Sequence, residues 1–231
     1  MTGRQYVVLS LVVLVVVVFA QLAYSAEPAF TEDFLMDKSD LMSTGSNPYF
    51  ILEPGYRMYF KSPDGDLTIT VLNETKTVDG VETRIVEERE TEGGKLIEVS
   101  RNYFAISKRN NGVFYFGEDV DMYDKNEKVT GHGGSWHAGV GNARAGLMAP
   151  GIALLGARYY QEVAPREAMD RSEILSINET MKVPAGSFDK VVKTEETSPL
   201  EPGVKEYKYY ARGVGLIKDG DMLLVKTSGA Q

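Results

Sequence analysis

The sequence predicts an all-β protein in which one long-stranded antiparallel sheet is curled into a half-barrel or open barrel. Turn signals recur regularly after Tyr49, and the segments between them are about twice the usual strand length. The chain also contains 13 tyrosines and 23 glycines, which favours strands and turns over helices. Because long antiparallel strands accumulate twist, we expect such a sheet to curl rather than stay flat.

Residues 1–25 have the pattern of a secretory signal peptide. The basic residue Arg4 precedes an apolar run over residues 7–20, and the small-residue pattern Ala23-Tyr24-Ser25 follows. The alternative is an uncleaved membrane anchor, because residues 6–24 are nearly long enough to span a bilayer. Under either interpretation the remaining chain lies outside the cytoplasm, as a periplasmic or extracellular domain. If the signal peptide is cleaved, we expect a soluble secreted protein.

The charge balance and the absence of cysteine exclude several kinds of partner and attachment. Removing residues 1–25 removes Arg4 and no acidic residue, which changes the net charge from −8 to −9. A chain this acidic repels nucleic acid and anionic lipid, so we expect no nucleic-acid partner and no membrane binding after cleavage. Without cysteine, the chain forms neither a disulfide nor a lipid-modified thiol.

After the signal peptide, the sequence divides into a lead-in segment, residues 26–48, and one β-domain, residues 49–231. Phe30, Phe34 and Leu41 could line one face of a short N-terminal helix. An ordered strap laid across the sheet is an equally good interpretation. The length of the remaining domain suits a single sandwich or barrel.

Turn signals define the strands of the β-domain. In its first half they are Pro63-Asp64-Gly65, Asp79-Gly80, Gly93-Gly94 and Asn111-Gly112, which bound segments 66–78, 81–92, 95–109 and 113–124. Residues 125–150 break the pattern and predict a long loop with a glycine-rich run at 131–141. Strands are expected again near 158–164, 170–183, 188–198 and 204–212, followed by a hairpin at Asp219-Gly220.

Two stretches of the second half resemble a family of uncharacterised exported bacterial β-domains. They are residues 183–189, Val-Pro-Ala-Gly-Ser-Phe-Asp, and 209–216, Tyr-Tyr-Ala-Arg-Gly-Val-Gly-Leu; segments 47–50 and 114–119 also resemble that family. Its fold is similar to the curved half-barrel of periplasmic lipoprotein carriers of the LolA/LolB type, so the resemblance implies a curved sheet. Because the matching motifs are turns and bulges, it implies no activity and no catalytic residue.

Three motifs lack the residues that their chemistry requires. His132 and His137 are the only histidines, whereas a zinc site usually needs three or four suitable ligands. The run His132-Gly133-Gly134-Ser135 is similar to the oxyanion loop of lipases, but no G-x-S-x-G elbow accompanies it. The acidic cluster at 118–124 lacks the spacing of a calcium loop. We therefore expect a protein that is not an enzyme, with no catalytic residue, no metal site and no cofactor.

Aromatic side chains form the remaining candidate site. Trp136 lies within the glycine-rich run, which is expected to act as a rim or lid over the concave face of the sheet. A cleft of this kind is a usual small-molecule site. The side chains predicted to bind a ligand there are Trp136, His137, Phe104, Phe114, Phe116, Tyr159 and Tyr160. In the alternative interpretation, the lead-in segment and the 125–150 loop fill the concavity as core.

The sequence favours a non-enzymatic binding protein outside the cytoplasm, whose partner is an apolar or amphipathic small molecule or an envelope protein. The alternative is a structural or assembly module of the cell envelope that works through protein–protein contacts. A fully filled concavity would count against the first hypothesis.

Overall fold

The computed structural model describes residues 29–229, so the predicted signal peptide at residues 1–25 lies outside the described residues. Nearly all regular structure in the described chain is β-strand, apart from a 3₁₀ turn at Lys38–Asp40. The strands are β1 (Leu41–Met42), β2 (Gly45–Asn47), β3 (Phe50–Leu52), β4 (Arg57–Lys61), β5 (Gly65–Val78), β6 (Val81–Glu92), β7 (Lys95–Ser107), β8 (Val113–Tyr123), β9 (Val129–Gly131), β10 (Trp136–His137), β11 (Arg144–Ala149), β12 (Arg158–Tyr160), β13 (Glu162–Val163), β14 (Arg171–Val183), β15 (Gly186–Thr197), β16 (Glu206–Ala211), β17 (Gly215–Asp219) and β18 (Met222–Ser228). Within residues 29–229, no helix is long and apolar enough to cross a membrane.

Thirteen of these strands form one antiparallel sheet that almost closes into a barrel, which confirms the predicted fold class. Their order is β12-β14-β15-β16-β17-β18-β4-β5-β6-β7-β8-β11-β13. The two edge strands are consecutive in sequence, since β12 pairs with β14 at one edge and β13 pairs with β11 at the other. Residues 158–163 therefore bridge the two edges of the sheet.

Closure of the barrel depends on a close backbone contact at Gly146 in β11. A Cβ at this position would lie 2.2 Å from the carbonyl oxygen of Gln161, the residue between β12 and β13. Any side chain would force the two backbones apart, so glycine is what allows the bridging segment to approach β11.

The turn signals read from the sequence lie at hairpins, and the strands between them have the predicted length. β5, β6, β7 and β8 contain 14, 12, 13 and 11 residues. Asp79 and Gly80 adopt positive φ, 49° and 76°, as the tight turn between β5 and β6 requires. The boundaries of β14, β15 and β16 also agree closely with the predicted segments.

The lead-in segment is a strap rather than a helix, and its last strand, β2, forms a hairpin with β3 that plugs one end of the barrel. β2 and β3 form a separate two-stranded sheet packed against β7 and β17. Asn47 donates hydrogen bonds to the carbonyl oxygens of Asn111 and Pro150 at 2.9 and 2.8 Å. The carbonyl oxygen of Pro48 accepts a hydrogen bond from the backbone N–H of Gly213 at 2.7 Å. These bonds attach the hairpin, called the plug below, to turns at the same end of the barrel.

The prediction of a continuous loop over residues 125–150 is wrong in part, because this stretch contains three strands. β9 and β10 pair with β8, and β11 pairs with both β8 and β13. β8 bends at Gly117, whose φ is 133°, and a Cβ there would lie 2.2 Å from the carbonyl oxygen of Trp136. This bend lets successive parts of β8 pair with β10 and with β11.

Candidate binding site within the barrel

The pairing register places carboxylates on the inner face of the barrel. Directly paired residues of an antiparallel sheet project to the same side, so each row of partners marks one face. Ile69 and Val71 belong to the buried core, and their rows therefore face inward. The inward rows across β5 to β8 are Leu67, Glu90 and Glu98; Ile69, Glu88 and Ser100; and Val71, Val86, Asn102 and Glu118.

The opposite wall of the barrel adds further acidic side chains and one lysine. Ile174 is buried, and its row marks the inner face of β14 to β17. The rows are Ile174, Thr194, Lys208 and Asp219; and Ser172, Glu196 and Glu206. The interior therefore combines core residues with ionisable groups on the same face.

The barrel interior widens into a cavity of about 570 Å³ at the end away from the plug. The turn at Gly220, which lines this cavity, lies at the opposite end of β17 from the turn at Gly213 that bonds to the plug. The wall contains two lysines, Lys205 and Lys218. It contains six carboxylates, namely Glu88, Glu90, Glu98, Glu206, Asp219 and Asp221. We call this space the acidic cavity.

Two smaller cavities continue from the acidic cavity toward the plug. The apolar cavity, about 80 Å³, shares Glu88 and Asp219 with the acidic cavity, and most of its remaining wall is apolar side chain from β3, β5, β6, β7 and β17. The inner cavity, about 20 Å³, shares Tyr49, Met148 and Tyr210 with the apolar cavity. The three spaces thus form one series through the barrel, with charge concentrated at the open end.

Lys208 lines the apolar cavity and is paired with two carboxylates. Its Nζ lies 2.9 Å from Glu196 Oε2 and 3.5 Å from Asp219 Oδ2. Burial alone would lower the pKa of Lys208, but the two carboxylates outweigh burial and hold the pKa well above its usual value. Gln161 extends the cluster, because its Nε2 donates a hydrogen bond to Glu196 Oε1 at 3.1 Å. Lys208 is therefore charged and engaged by these partners.

Three other carboxyl groups of the interior have pKa values raised by burial and by nearby carboxylates. Burial raises the pKa of Glu88 to about 7, with a further contribution from the carboxylate of Asp219. Burial and the nearby Glu88 raise the pKa of Glu118 to about 8. Burial and the nearby Glu118 raise the pKa of Glu162 well above its usual value. At neutral pH Glu118 is therefore mainly protonated and Glu88 partly protonated, and a cation bound nearby would favour release of these protons.

Several buried polar atoms in the barrel lack a hydrogen-bond partner within the described chain. They are Trp136 Nε1, Gln161 Oε1, Glu162 Oε2 and Ser172 Oγ. Gln161 and Ser172 are 3% and 0% exposed, and both line the inner cavity. Leaving such a group unsatisfied costs about 1–3 kcal/mol, so the arrangement favours occupants that form hydrogen bonds.

The aromatic side chains predicted to form one site are divided between the cavities and the core. Phe104 lines the apolar cavity, and Tyr159 lines the inner cavity. Trp136 is 5% exposed and packs edge-on against Tyr115, with ring centroids 5.3 Å apart. Trp136 is therefore a core residue in this structure rather than an exposed rim.

The strap covers two more of the predicted aromatic residues. Phe34 packs against Phe114 with ring centroids 6.0 Å apart, and Phe30 packs against Tyr160 with ring centroids 6.1 Å apart. Phe116 is fully buried. Part of the predicted site is thus filled as core, as the alternative interpretation expected, whereas the acidic cavity stays open.

His137 belongs to a different cluster, on the outer face of the barrel. Its Nε2 lies 2.8 Å from Asp119 Oδ1 and 3.3 Å from Lys76 Nζ, which also bonds to Asp119 Oδ2 at 2.8 Å. Burial would raise the pKa of Asp119, but hydrogen bonds from Lys76 and from the Tyr103 hydroxyl outweigh it and lower the pKa. Because Asp119 follows the inward-facing Glu118 on β8, this cluster is separate from the cavities.

Sequence reasoning misses the charged residues that line the cavities, although the sequence contains a signal for them. In β6 the residues Val86, Glu88 and Glu90 alternate with a spacing of two, so both glutamates share the face of a core valine. Lys208 and Tyr210 share a face in β16 in the same way. Charged residues on the apolar face of an alternating strand mark a polar interior, because such residues are seldom buried without a partner.

The cavities and charged side chains inside the barrel form the candidate binding site. Within residues 29–229, no three His, Cys, Asp or Glu side chains are placed to hold a single metal ion. Comparisons of the chain with protein-family models, curated proteins and solved structures found no match. The resemblance to lipoprotein carriers therefore stays a prediction.

Proposed function

We propose that the protein is a non-enzymatic binding protein, exported as residues 1–25 predict, that holds an amphipathic small molecule inside its barrel. The observation that carries this proposal is the series of three adjoining cavities, whose wall changes from acidic to apolar. Small-molecule sites typically have volumes of about 300–1,000 Å³ and occur in the mouths of β-barrels. The acidic cavity has both properties.

The position of the plug supports entry from the acidic end. The plug is bonded to turns at the far end of the barrel, so the apolar cavity is reached past Glu88 and Asp219. A ligand that follows this path leaves water with its apolar part and keeps a polar group near the two carboxylates. Each buried methylene contributes about 0.8 kcal/mol to such binding.

We expect decan-1-ol, a neutral amphipathic probe, to bind saturably with one molecule per chain in a calorimetric titration. Val86→Phe should weaken this binding about tenfold, because Val86 lines the apolar cavity and a larger ring would occupy it. Val140→Phe is the matched control, since Val140 is 65% exposed. Thermal melts of both variants establish that they fold. Absence of saturable binding, or equal affinity in the wild type and Val86→Phe, would contradict the proposal.

A second candidate function, contact with an envelope protein, is favoured by the loop between β11 and β12. In this loop Ile152, Leu154 and Leu155 are 73%, 62% and 66% exposed. Backbone packing fixes the loop, because a Cβ at Gly151 would lie 1.6 Å from the carbonyl oxygen of Asn110. Three exposed apolar side chains within four positions are typical of a contact surface.

Site-specific photo-cross-linking in the native host tests this second candidate. With the cross-linker at Leu154, we expect one discrete adduct with an envelope protein. The same cross-linker at Val140, also strongly exposed, should give none. Identical products from both positions would argue against a specific contact.

A further inference from the structure

We propose that the ligand of the barrel carries an organic cation, an ammonium or guanidinium group, that binds beside Glu88 and Asp219 while its apolar part occupies the apolar cavity. This inference rests on the proposed function and adds the chemical class of the ligand. It follows from the charged groups and the unpaired hydrogen-bond acceptors of the barrel interior.

The interior has more carboxylates than cations. Glu88, Glu118 and Asp219 lie on inward rows of the sheet, and Lys208 is the one basic residue on the rows of the opposite wall. Lys208 is already bonded to Glu196 and Asp219. Within the described residues Glu88 forms neither an ion pair nor a hydrogen bond, although it lines both the acidic and the apolar cavity. A cation at Glu88 would supply the missing partner.

An unfilled hydrogen-bond acceptor provides an independent observation. Gln161 Oε1 is buried without a donor and lines the inner cavity. Gln161 also bonds to Glu196, which bonds to Lys208, so this acceptor adjoins the charged cluster. An ammonium group offers three N–H donors and a guanidinium group offers five, and neither has an acceptor. Their hydrogen-bonding capacity is complementary to an interior rich in acceptors.

An organic cation fits this arrangement better than a metal ion. A calcium ion takes six to eight oxygen ligands at about 2.3–2.6 Å. In the part of the chain that the structure describes, no three acidic or imidazole groups are grouped in that way. An organic cation also brings apolar surface, which the adjoining apolar cavity accommodates.

Three ten-carbon compounds with different head groups test the inference. Decylamine, decan-1-ol and sodium decanoate are titrated calorimetrically into the protein at pH 7.5, below the concentrations at which they form micelles. We expect decylamine to bind about tenfold more tightly than decan-1-ol, and decanoate about tenfold more weakly. The number of carbon atoms is constant, so the differences in affinity report the preference for head-group charge.

Two glutamate variants localise the preference. Glu88→Gln keeps the shape of the side chain and should remove most of the advantage of decylamine over decan-1-ol, so the ratio of the two affinities is the quantity compared. Glu74→Gln is the matched control, because Glu74 is an exposed residue of β5 near the plugged end. Thermal melts establish that both variants are folded.

The outcomes separate the inference from the proposed function. If decan-1-ol binds and decylamine gains nothing, or if decanoate binds most tightly, the cationic ligand is excluded and the barrel remains a binding site. If none of the three compounds binds, both proposals fail. If Glu88→Gln and Glu74→Gln lower the affinity for decylamine equally, the preference for a cation is general attraction to an acidic protein and the proposed position is wrong.

Discussion

Replacing Lys208 by methionine is expected to lower the free energy of unfolding by about 3–5 kcal/mol, which is the usual cost of removing one partner from a buried ion pair. The substitution leaves Glu196, whose side chain is 8% exposed, and Asp219 without their ammonium partner. It also removes a positive charge that favours the ionised form of Glu88. The decrease in the free energy of unfolding should therefore exceed the decrease caused by a substitution that removes only packing contacts.

Urea denaturation at pH 7.5 measures this effect, with two comparisons that isolate its cause. The double variant Lys208→Met, Glu196→Gln should recover part of the stability, because one of the two unpaired carboxylates is removed with the lysine. Lys61→Met is the surface control, since Lys61 and Asp66 are 66% and 52% exposed and such a pair contributes about 0–1 kcal/mol. If Lys208→Met and Lys61→Met cost the same, the interior cluster is solvated and its stabilising role is refuted.

The strands could be predicted from the sequence because their limits are local. Asp79 and Gly80 occupy the two positive-φ positions of a tight turn, and that requirement is visible in two adjacent letters. Strand length then follows from the distance between turns, and curvature follows from strand length. By contrast, β11 lies in the stretch 125–150 that was predicted as a loop, because its pairing depends on the bend of β8 at Gly117 and on the close approach at Gly146.

The candidate site was only partly predictable, because its members come from strands far apart in sequence. Phe104, which was expected on an aromatic concave face, lines the apolar cavity. Glu88, on β6, and Lys208, on β16, line the same cavity only because the sheet order brings those strands to facing walls. The alternation within one strand marks an inward glutamate but does not say which other side chains it meets. Trp136, which was expected at a rim or lid, is buried where the glycine-rich run pairs with β8.

We expect the free energy of unfolding to fall by about 3–5 kcal/mol between pH 5.5 and pH 8.5. Burial raises the pKa of Glu88 from 4.5 to about 7 and that of Glu118 from 4.5 to about 8. Between pH 4.5 and about 8 the folded protein therefore binds more protons than the unfolded chain, so stability decreases as pH rises. A shift of about two and a half pKa units at one site corresponds to about 3 kcal/mol. Asp119, whose pKa is lowered, loses its contribution only at more acidic pH.

Urea denaturation of the ligand-free protein at pH 5.5, 7.0 and 8.5 measures this slope. Glu118→Gln should flatten it and raise the stability at pH 8.5, because the amide cannot acquire the buried charge; Glu74→Gln, at an exposed position, should leave the slope unchanged. A stability that is constant or rises over this interval would refute buried, protonated carboxyl groups in the barrel.

The same groups connect stability to binding. A bound ammonium ion favours their ionised form, so decylamine should stabilise the protein more at pH 8.5 than at pH 5.5. Decan-1-ol has no charge to offer, and its stabilisation should not increase in this way with pH.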